Sequence, residues 1–580
     1  MTTENEKVKT LDEAMKKIVE LQAEIKKVKK QKKYGLVWED KKEQIVEDCK
    51  RNVPILRLKE KKKGIEPVVT TEKTKDENIL IEGDNYHALS VLNYTHKGKF
   101  KVIYADPPYN TGNKSWKYNN DYVEKDDAFK HSKWVSYIDN RLNLTKNLLT
   151  EDGIIIFAID DYEAHTLRLL MDEVFGQDNR LGTAVVIHNP GGRQDEMFFA
   201  TAHEYMLVYA KDREKASVGL LNYFEEKNKS YQYSDDVSTY KLREFRRSGA
   251  NSRRTDRPNL WYPIYVNSKT LEISTFKNNK WDVVLPIDND GTERVWRWNA
   301  KTLEEKKDTY INVKKYKDGY RFYVKERSVD YKGEKPKTIW FRPEYSAVNG
   351  TSALKEIFSE NLDKIFDFPK SPFLMQDILS ISGDSDCWVL DFFAGSGTTG
   401  HAVLELNKKD GGDRKFILCT NNENNICEEV TYERVTRVMK GYKNKKGEKV
   451  EGLGGNLRYY KTDLVDIEKL HRTPDHAKVK LTYQAGEMIG LRENTLNEVE
   501  KNEWWQIFEG NGKSTAIYFK EDKEKLLELV ELLEKKKTPA VLYIFSWGKN
   551  EYKSEYSGAN IRVEDIPEPI LEVYKEINRL

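Results

Sequence analysis

Strand and helix patterns alternate along two separate parts of this chain, and this alternation constrains the fold most. Short apolar runs separated by amphipathic helical stretches occupy residues 79–210, and the pattern resumes at residue 361 and continues to the run KFILCT at 415–420. Alternation of this kind predicts an α/β fold with a doubly wound, mostly parallel sheet. Between 212 and 345 the regularity is lost, and aromatic residues, arginines and turn formers intermingle. We therefore expect one sheet assembled from two segments, with an inserted region between them.

The chain of 580 residues is too long for one core and should divide into several domains. From Leu11 to Val28 apolar residues recur at alternating spacings of three and four, which fits a short coiled-coil seam or an amphipathic helix lying on its own body. The expected division is a helical or coiled-coil region at 1–70, a first sheet segment at 71–211, the insert at 212–345, a second sheet segment at 346–460 and a small α/β domain at 461–580.

Composition excludes several classes of protein. Lys and Arg number 98 against 96 Asp and Glu, a net charge of +2, so any nucleic-acid surface must be local. The four cysteines form no CxxC pair, which argues against a zinc cluster, and we expect no metal. The longest apolar run, at 153–159, is too short to cross a bilayer, and we find no apolar signal core. These features predict a cytoplasmic protein that does not enter the membrane.

A glycine-rich stretch, DFFAGSGTTGHAV at 391–403, follows an apolar strand and opens a helical pattern. Gly395, Gly397 and Gly400 satisfy G-x-G-x-x-G, which lets the backbone approach a ligand beside the unpaired N–H groups of a helix start. The motif alone suits a dinucleotide or any other adenosine-containing cofactor. A second glycine stretch, GNGKST at 510–515, imitates the end of a P-loop but joins two strand-like runs, which predicts a hairpin turn.

The stretch YADPPYNTGN places Asp106 directly after a buried strand pattern. Pro107 and Pro108 fix φ twice and lack N–H donors, so they predict a stiff turn whose carbonyls remain available. Tyr109 follows them. Because ligands of doubly wound sheets bind beyond the carboxyl ends of the strands, this turn and the glycine loop are expected to meet at one edge.

These two motifs together resemble those of the adenine-specific DNA methyltransferases. In that family DPPY is the catalytic turn, and FxGxG, here Phe393, Gly395 and Gly397, is the loop that binds S-adenosylmethionine. The order of the two motifs, with a long insert between them, is similar to the β-type arrangement, in which the insert is the target-recognition domain. The resemblance implies a Rossmann-like methyltransferase fold, S-adenosylmethionine as cofactor and double-stranded DNA as substrate.

Further blocks extend the resemblance over nearly the whole chain. IEGDNYHAL at 81–89, HSKW at 131–134, HEYMLVYAK at 203–211, VWRW at 295–298 and IPEPILEVY at 566–574 are similar to the modification subunits of Type III restriction-modification systems. Membership would imply a homodimer that works with a separate restriction subunit carrying helicase and nuclease activities.

The resemblance assigns site residues by position. The catalytic residues would be Asp106, Pro107, Pro108 and Tyr109. The residues expected to bind the cofactor are Asp84, Asp106, Lys370, Asp391, Phe393, Gly395, Gly397 and Thr398. Lys370 is assigned as a partner for the cofactor carboxylate.

The amino nitrogen of adenine is a poor nucleophile because its lone pair is delocalised into the ring, whereas a sulfonium methyl is already activated. Asp106 and the carbonyl of Pro107 can each accept one amino hydrogen and so orient the nitrogen. Tyr109 offers a ring face for an adenine flipped out of the duplex.

The insert carries a cluster of arginines beside Phe245, Trp261 and Tyr262. Arginines can hold phosphates or read guanine edges, and aromatic rings can stack on displaced bases. A solvated basic loop would show the same composition. The predicted DNA-binding residues are Arg243, Arg246, Arg247, Arg253, Arg254 and Arg257.

Three alternatives stay open from the sequence. The chain could be a stand-alone adenine methyltransferase without a restriction partner. It could be a dinucleotide-dependent oxidoreductase that uses only the glycine loop, in which case it would bind nicotinamide or flavin cofactors. It could also be a DNA-binding specificity module whose methylating site is vestigial, although intact Asp106 and Tyr109 argue against this.

Overall fold

The computed structural model describes residues 36–72, 77–111, 113–119, 121–194, 196–223, 228–358, 366, 369–547, 552–556 and 560–579. The predicted coiled-coil seam lies outside these residues. The chain forms two compact units, one of Met1–Gly219 with Lys337–Leu580 and one of Leu220–Pro336.

The first unit is organised by an 11-stranded sheet. Its strands are β1 (Asn52–Leu58), β2 (Val68–Thr70), β3 (Glu77–Glu82), β4 (Phe100–Ala105), β5 (Leu149–Ile159), β6 (Arg180–Ile187), β7 (His203–Ala210), β8 (Ile339–Trp340), β9 (Trp388–Asp391), β10 (Lys415–Thr420) and β11 (Asn456–Asp466).

The strands lie in the order β1-β11-β3-β10-β9-β4-β5-β7-β6-β8, and β2 pairs with β11. The run from β11 to β5 is parallel throughout. β7 is antiparallel to both β5 and β6, and β1 is antiparallel to β11. All six residues of β4 are buried, as expected of a central strand covered on both faces. The predicted doubly wound, mostly parallel α/β sheet is confirmed.

Helices cover this sheet. They are α1 (Gln44–Asp48), α2 (Asn85–Thr95), α3 (Lys130–Leu148), α4 (Ala164–Phe175), α5 (Ala347–Phe358), α6 (Pro372–Ser382), α7 (Thr398–Asp410) and α8 (Glu433–Lys440), with a π-helix at Ile426–Tyr432. Two short hairpins also belong to this unit, Asn113–Tyr118 with Asp121–Glu124 and Gly441–Lys443 with Lys449–Glu451. Short 3₁₀ turns occur at Gln177–Asn179, Pro343–Tyr345, Glu423–Asn425 and Leu470–Arg472.

The C-terminal part of the same unit carries a five-stranded sheet. Its strands are β12 (Asn497–Lys501), β13 (Trp505–Gly510), β14 (Lys513–Tyr518), β15 (Ala540–Phe545) and β16 (Ile561–Ile566). Its helices are α9 (Asp475–Gln484), α10 (Gly486–Glu493), α11 (Lys523–Lys535) and α12 (Glu568–Ile577), with a short helix at Lys553–Tyr556. β13 and β14 pair antiparallel, which confirms the hairpin predicted at GNGKST.

One hydrophobic core joins the two sheets of the first unit. It runs from Leu89 and Leu142 on the helices of the large sheet to Met488 and Ile570 on helices of the C-terminal part. Tyr574 of α12 donates a hydrogen bond to the carbonyl of Pro54 in β1 at 2.5 Å. The C-terminal part therefore packs on the large sheet rather than standing apart from it.

The second unit has its own smaller core. A four-stranded sheet consists of Tyr233–Ser234, Thr239–Glu244, Gly319–Arg327 and Ile311–Tyr316, and a three-stranded sheet of Ile273–Ser274, Ile264–Val266 and Asp282–Val284. The remaining elements are the helix Ala300–Tyr310 and short 3₁₀ turns at Asn228–Ser230, Pro258–Leu260 and Ser328–Asp330. Phe245, Trp296 and Phe322 lie in its hydrophobic cluster.

Strand pairing moves several of the expected domain boundaries. The range 1–70, expected to be helical, contains β1 and β2, which pair with β11 because NVPILRL is an apolar run that buries itself at the sheet edge. The boundary at 461 falls inside β11, so this strand extends the large sheet to Asp466. The end of the insert at 345 falls after β8, which pairs with β6 in the first unit.

No helix among the described residues is both long and apolar enough to span a bilayer.

Candidate active site

The two sequence motifs meet at one edge of the large sheet. β9 and β4 are neighbouring parallel strands, and Asp391 at the end of β9 is in register with Tyr104 of β4. Asp106 therefore begins its turn beside the start of the glycine loop. This is the carboxyl edge of a doubly wound sheet, where such folds bind their ligands.

Hydrogen bonds to Trp134 and Glu163 hold the turn at Asp106 in place. The carbonyl of Pro108 accepts a hydrogen bond from the indole N–H of Trp134 on α3, at 2.7 Å. Asn110 adopts a left-handed conformation with φ of 58° and donates from its side chain to Glu163 at 2.6 Å. One of the two proline carbonyls is thus directed inward, while among the described residues no hydrogen bond is made to the carbonyl of Pro107.

Four polar side chains form the candidate catalytic cluster: Asp106, Tyr109, Glu204 and Lys370. The Tyr109 hydroxyl lies 2.6 Å from Oδ1 of Asp106 and 3.0 Å from Oε2 of Glu204. The ammonium of Lys370 lies 2.5 Å from the same Glu204 oxygen, 2.7 Å from the Tyr109 hydroxyl and 3.3 Å from Oδ1 of Asp106. Their mutual contacts leave Oδ2 of Asp106 without a hydrogen bond among the described residues.

The two carboxyl groups of this cluster have pKa values shifted in opposite directions. Burial raises the pKa of Asp106, and Lys370 only partly offsets this while Glu204 adds to it. Burial opposes ionisation of Glu204 as well, but Lys370 outweighs it and holds the pKa of Glu204 below its usual value. The closer contact of Lys370 with Glu204 than with Asp106 accounts for the difference. Burial also disfavours the charged Lys370, yet the two carboxylates raise its pKa, so it is a cation.

The glycine loop has little room for side chains at Gly395 and Gly397. Gly395 and Gly397 have φ of 48° and 75°, where L residues are strained. A Cβ on Gly397 would lie 3.1 Å from the methyl of Thr431. α7 begins directly after Gly397 with no side-chain cap, so its first backbone N–H groups face the edge of the sheet.

Asp391 and Thr398 support this loop from within. Asp391 accepts from the backbone N–H of Phe393 at 3.0 Å and from the hydroxyl of Thr399, and burial raises its pKa to about 7. Thr398 is 5% exposed, and its hydroxyl accepts a hydrogen bond from Arg434 at 2.7 Å. These hydrogen bonds stabilise the conformation of the loop, so the two side chains are not free to contact a ligand.

Arg434 lies buried behind the glycine loop. Besides Thr398, it donates to the hydroxyl of Ser396 at 3.0 Å, and Nη2 lies 3.3 Å from Nδ1 of His401. Burial lowers the pKa of Arg434 to about 10. The buried guanidinium of Arg434 therefore holds Ser396, Thr398 and His401 in one arrangement.

Asp84 ends the turn after β3, a neighbour of β10 at the same edge. Its carboxylate caps α2 by accepting from the N–H of Tyr86 at 2.7 Å, and it lies 3.1 Å from the guanidinium of Arg141. The side chain is 37% exposed, so it retains an accessible face. The amide of Asn85 donates to the carbonyl of Phe392 at 3.1 Å and ties this turn to the glycine loop.

The predicted DNA-binding arginines all lie in the second unit. Three are ion-paired with glutamates at 2.8 to 3.1 Å: Arg243, Arg246 and Arg254. The other three form no ion pair within the described part of the chain: Arg247, Arg253 and Arg257. Burial lowers the pKa of Arg297, the nearby charges of Arg243 and Arg247 lower it further, and Glu326 and Glu244 partly offset them. Phe245 is fully buried in the core and offers no face to a base.

Sequence reasoning missed Glu204, Arg141 and Arg434. Glu204 lies within HEYMLVYAK, which carries part of the resemblance but gives this residue no role. The available signal was a carboxylate within an otherwise apolar strand pattern, which requires a buried partner. Neither buried arginine stands in a motif that predicts its contacts.

Within the described residues no group of His, Cys, Asp or Glu side chains could hold a metal ion. Cys387, directly before β9, and Cys419, in β10, are both buried.

Comparison with known proteins agrees with this geometry. The model of a family described as DNA methylase matches residues 100–433, which is more than half of the chain and includes both the Asp106 turn and the glycine loop. The chain is 36% identical over 382 residues to the Type III restriction-modification enzyme EcoPI Mod subunit of Escherichia phage P1, covering 61% of this chain and 58% of that subunit.

Two further relatives match a similar share of this chain. Identity is 36% over 362 residues with the Type II methyltransferase M.KpnI of Klebsiella pneumoniae, covering 62% of this chain and 83% of the relative. It is 30% over 414 residues with the Type III enzyme StyLTI Mod subunit of Salmonella typhimurium, covering 64% and 59%. The chain thus spans somewhat less than two thirds of the two Mod subunits. By the family match and the site it encloses, the chain belongs to the DNA methylase family.

Proposed function

We propose that this chain transfers a methyl group from S-adenosylmethionine to the N6 amino group of an adenine flipped out of double-stranded DNA. The observation that carries the proposal is the position of the Asp106 turn beside the glycine loop, on the adjacent parallel strands β4 and β9. A cofactor held by one loop can then face a base held by the other. An oxidoreductase would use the glycine loop but would have no use for the Asp106 turn.

The glycine loop fits an adenosine-containing cofactor. Gly395 and Gly397 adopt left-handed conformations that shape the loop, the uncapped start of α7 supplies N–H donors, and Asn85, next to Asp84, donates to the carbonyl of Phe392 at the same edge. S-adenosylmethionine would supply an already activated methyl group there. Asp391 and Thr398 shape the loop, so we assign them to positioning rather than to direct contact.

The protein's task is to prepare the amino nitrogen. Oδ2 of Asp106 and the carbonyl of Pro107 are two acceptors on one rigid turn, and each can take one amino hydrogen. Holding both hydrogens draws the nitrogen toward a tetrahedral shape and aims its lone pair. As the N–C bond forms, the sulfur–methyl bond of the cofactor would break and leave a neutral thioether, and the nitrogen would give up one hydrogen as a proton to Asp106. Its raised pKa favours that transfer.

Lys370 and Glu204 act as positioning residues in this scheme. The ammonium of Lys370 also lies 5.3 Å from the centroid of the Tyr109 ring. At 2.7 Å from the Tyr109 hydroxyl, this ammonium lies beyond the hydroxyl rather than over a ring face, and we assign a face of the ring to the extruded base. The positioning role of Lys370 differs from the role implied by the resemblance, in which Lys370 binds the cofactor carboxylate.

Sequence recognition is assigned to the second unit. Arg247, Arg253 and Arg257, which form no ion pair among the described residues, can contact phosphates, whereas Arg243, Arg246 and Arg254 would first have to leave their glutamate partners. Similarity to two Type III Mod subunits supports a role as the modification subunit of such a system, as a homodimer in the cytoplasm with a separate restriction subunit. Similarity to M.KpnI, a Type II methyltransferase, favours a stand-alone enzyme as the second candidate.

The test is expression of the chain in a host without DNA methylation, followed by sequencing of modified bases. We expect N6-methyladenine in one short motif, and loss of it with Asp106→Ala. Methylation of one strand of an asymmetric motif supports the Type III assignment, whereas a palindromic motif supports the stand-alone enzyme. Absence of any methylated base, with purified chain binding nicotinamide or flavin instead of S-adenosylmethionine, would refute the proposal.

A further inference from the structure

The loop between β6 and β7, residues 188–202, carries an apolar tip. The tip consists of Met197, Phe198 and Phe199, which are 86%, 86% and 88% exposed. No other large apolar side chain among the described residues is as exposed. Three consecutive side chains of this size form an apolar patch that water solvates poorly, and such patches mark interaction sites.

The base of this loop has a defined shape. The N–H of Asn189 donates to the carbonyl of Ala202 at 3.1 Å, and the N–H of Arg193 donates to the carbonyl of Thr201 at 3.0 Å. The Thr201 hydroxyl donates to Glu196 at 2.5 Å. These bonds join the two arms of the loop, so the tip is presented by a hydrogen-bonded base.

The loop rises from the catalytic edge. β7 is antiparallel to β5 and to β6, so β6 ends where β5 ends, at the edge that carries Asp106. Glu204, the second residue of β7, lies 3.0 Å from the Tyr109 hydroxyl. The arm that leads from the tip thus runs directly into the catalytic cluster.

We propose that Met197, Phe198 and Phe199 form a wedge that enters the DNA base stack where the target adenine leaves it. This inference rests on the proposed function. Extruding a base leaves a gap and costs its stacking, and apolar side chains inserted between base steps occupy such gaps in other DNA-binding proteins. Arg193, in the same loop, forms no ion pair within the described part of the chain and can approach a phosphate.

A second copy of this chain is the competing occupant of the tip. The position of the loop favours DNA, because the tip and the base acceptors belong to one edge, and a substrate held by Asp106 must pass close to it. A dimer contact would have no reason to share that edge, since it would block the base from entering.

The test compares two duplexes that carry the motif identified by modified-base sequencing. In one the target adenine is paired, and in the other it faces an abasic site, so that extrusion costs less. The double variant Phe198→Ala/Phe199→Ala should slow single-turnover methylation of the paired duplex about tenfold or more, and of the abasic duplex less than about threefold. With 2-aminopurine at the target position, its fluorescence increase on binding should be lost only with the paired duplex.

Two further variants sharpen the result. Leu527→Ala removes an exposed apolar side chain from α11 and should leave both rates unchanged. Phe198→Trp/Phe199→Trp keeps aromatic rings at the tip and should restore methylation of the paired duplex.

Equal slowing on both duplexes, or no slowing on either, would overturn the wedge. A change in mass by light scattering in the double alanine variant would instead assign the tip to a second copy and also overturn it. Failure of the unaltered chain to methylate either duplex would refute the proposed function itself and can be told apart from these outcomes.

Discussion

Replacing Lys370 by methionine should shift the pH dependence of methylation. The ammonium lies 3.3 Å from Asp106 and 2.5 Å from Glu204, and without it two carboxylates share only the Tyr109 hydroxyl. Asp106 must be ionised to accept an amino hydrogen. Because burial already raises its pKa, removing the cation raises that pKa further. On acidification, the methylation rate of the variant should therefore fall at a higher pH than that of the unaltered chain.

The size of the shift follows from the geometry. At 3.3 Å an ion pair in a medium of effective dielectric constant of about 20 is worth about 5 kcal/mol as an upper bound. Both side chains keep some exposure, 17% for Lys370 and 23% for Asp106, so water screens part of this. A neighbouring opposite charge typically moves a carboxyl pKa by about 1 to 3 units. We expect the acid limb to move upward by that amount.

The assay is single-turnover methylation from pH 5 to pH 9 at saturating cofactor. Lys215→Met is the matched control, because Lys215 is ion-paired to Glu151 near the amino end of β5. An unchanged acid limb, together with weaker binding of S-adenosylmethionine when its concentration is varied at one pH, would show that Lys370 does not set the pKa of Asp106. That result would show that Lys370 binds the cofactor carboxylate, as the resemblance implies.

Three further changes test the cluster and the glycine loop. Glu204→Gln removes a charge that raises the pKa of Asp106, so the acid limb should move to lower pH, and an upward shift in the same pH series would contradict the assignment. Tyr109→Phe keeps the ring but loses a hydrogen bond to a carboxylate worth about 1.5 to 3 kcal/mol, so single-turnover transfer should slow roughly 10- to 100-fold with base extrusion intact. Asp391 has a pKa of about 7 in the fold against an ordinary value of 3.8, so the folded protein binds more protons than the unfolded chain between these values. The protein's free energy of unfolding should fall as pH rises through that window, and between pH 5 and pH 8 the fall measured by urea unfolding should be smaller in Asp391→Asn by up to about 2.6 kcal/mol.

Local signals predict the parts of the site that lie on single motifs. The runs KFKVIYA and CWVLDFF are long enough to form buried strands. The Pro residues that follow the first run and the Gly residues that follow the second fix the turns there. Because parallel strands of one sheet end at one edge, the placement of the Asp106 turn and the glycine loop at the same edge follows from the sequence pattern. The hairpin at 510–515 is likewise local, since two strand patterns flank its turn.

Contacts between distant segments could not be predicted. Lys370 meets Glu204 across 166 residues and Tyr109 across 261, and no local pattern encodes such a pairing. The prediction of a helical region was wrong for β1 because its partner, β11, lies about 400 residues later and neither strand reveals the other. The ion pairs of Arg243 and Arg254 are also set by the fold of the second unit rather than by the arginine cluster itself.

If Asp106 orients the amino group of the adenine, Asp106→Ala should slow single-turnover methylation. A charge-assisted hydrogen bond of about 1.5 to 3 kcal/mol made at the reacting nitrogen predicts a loss of at least about tenfold in rate. DNA affinity and the 2-aminopurine signal of extrusion should change little, because phosphate contacts supply most of the binding. Asp106→Ala that flips the base normally and transfers slowly is the predicted result. Methylation by this variant at the rate of the unaltered chain would show that Asp106 does not orient the amino group.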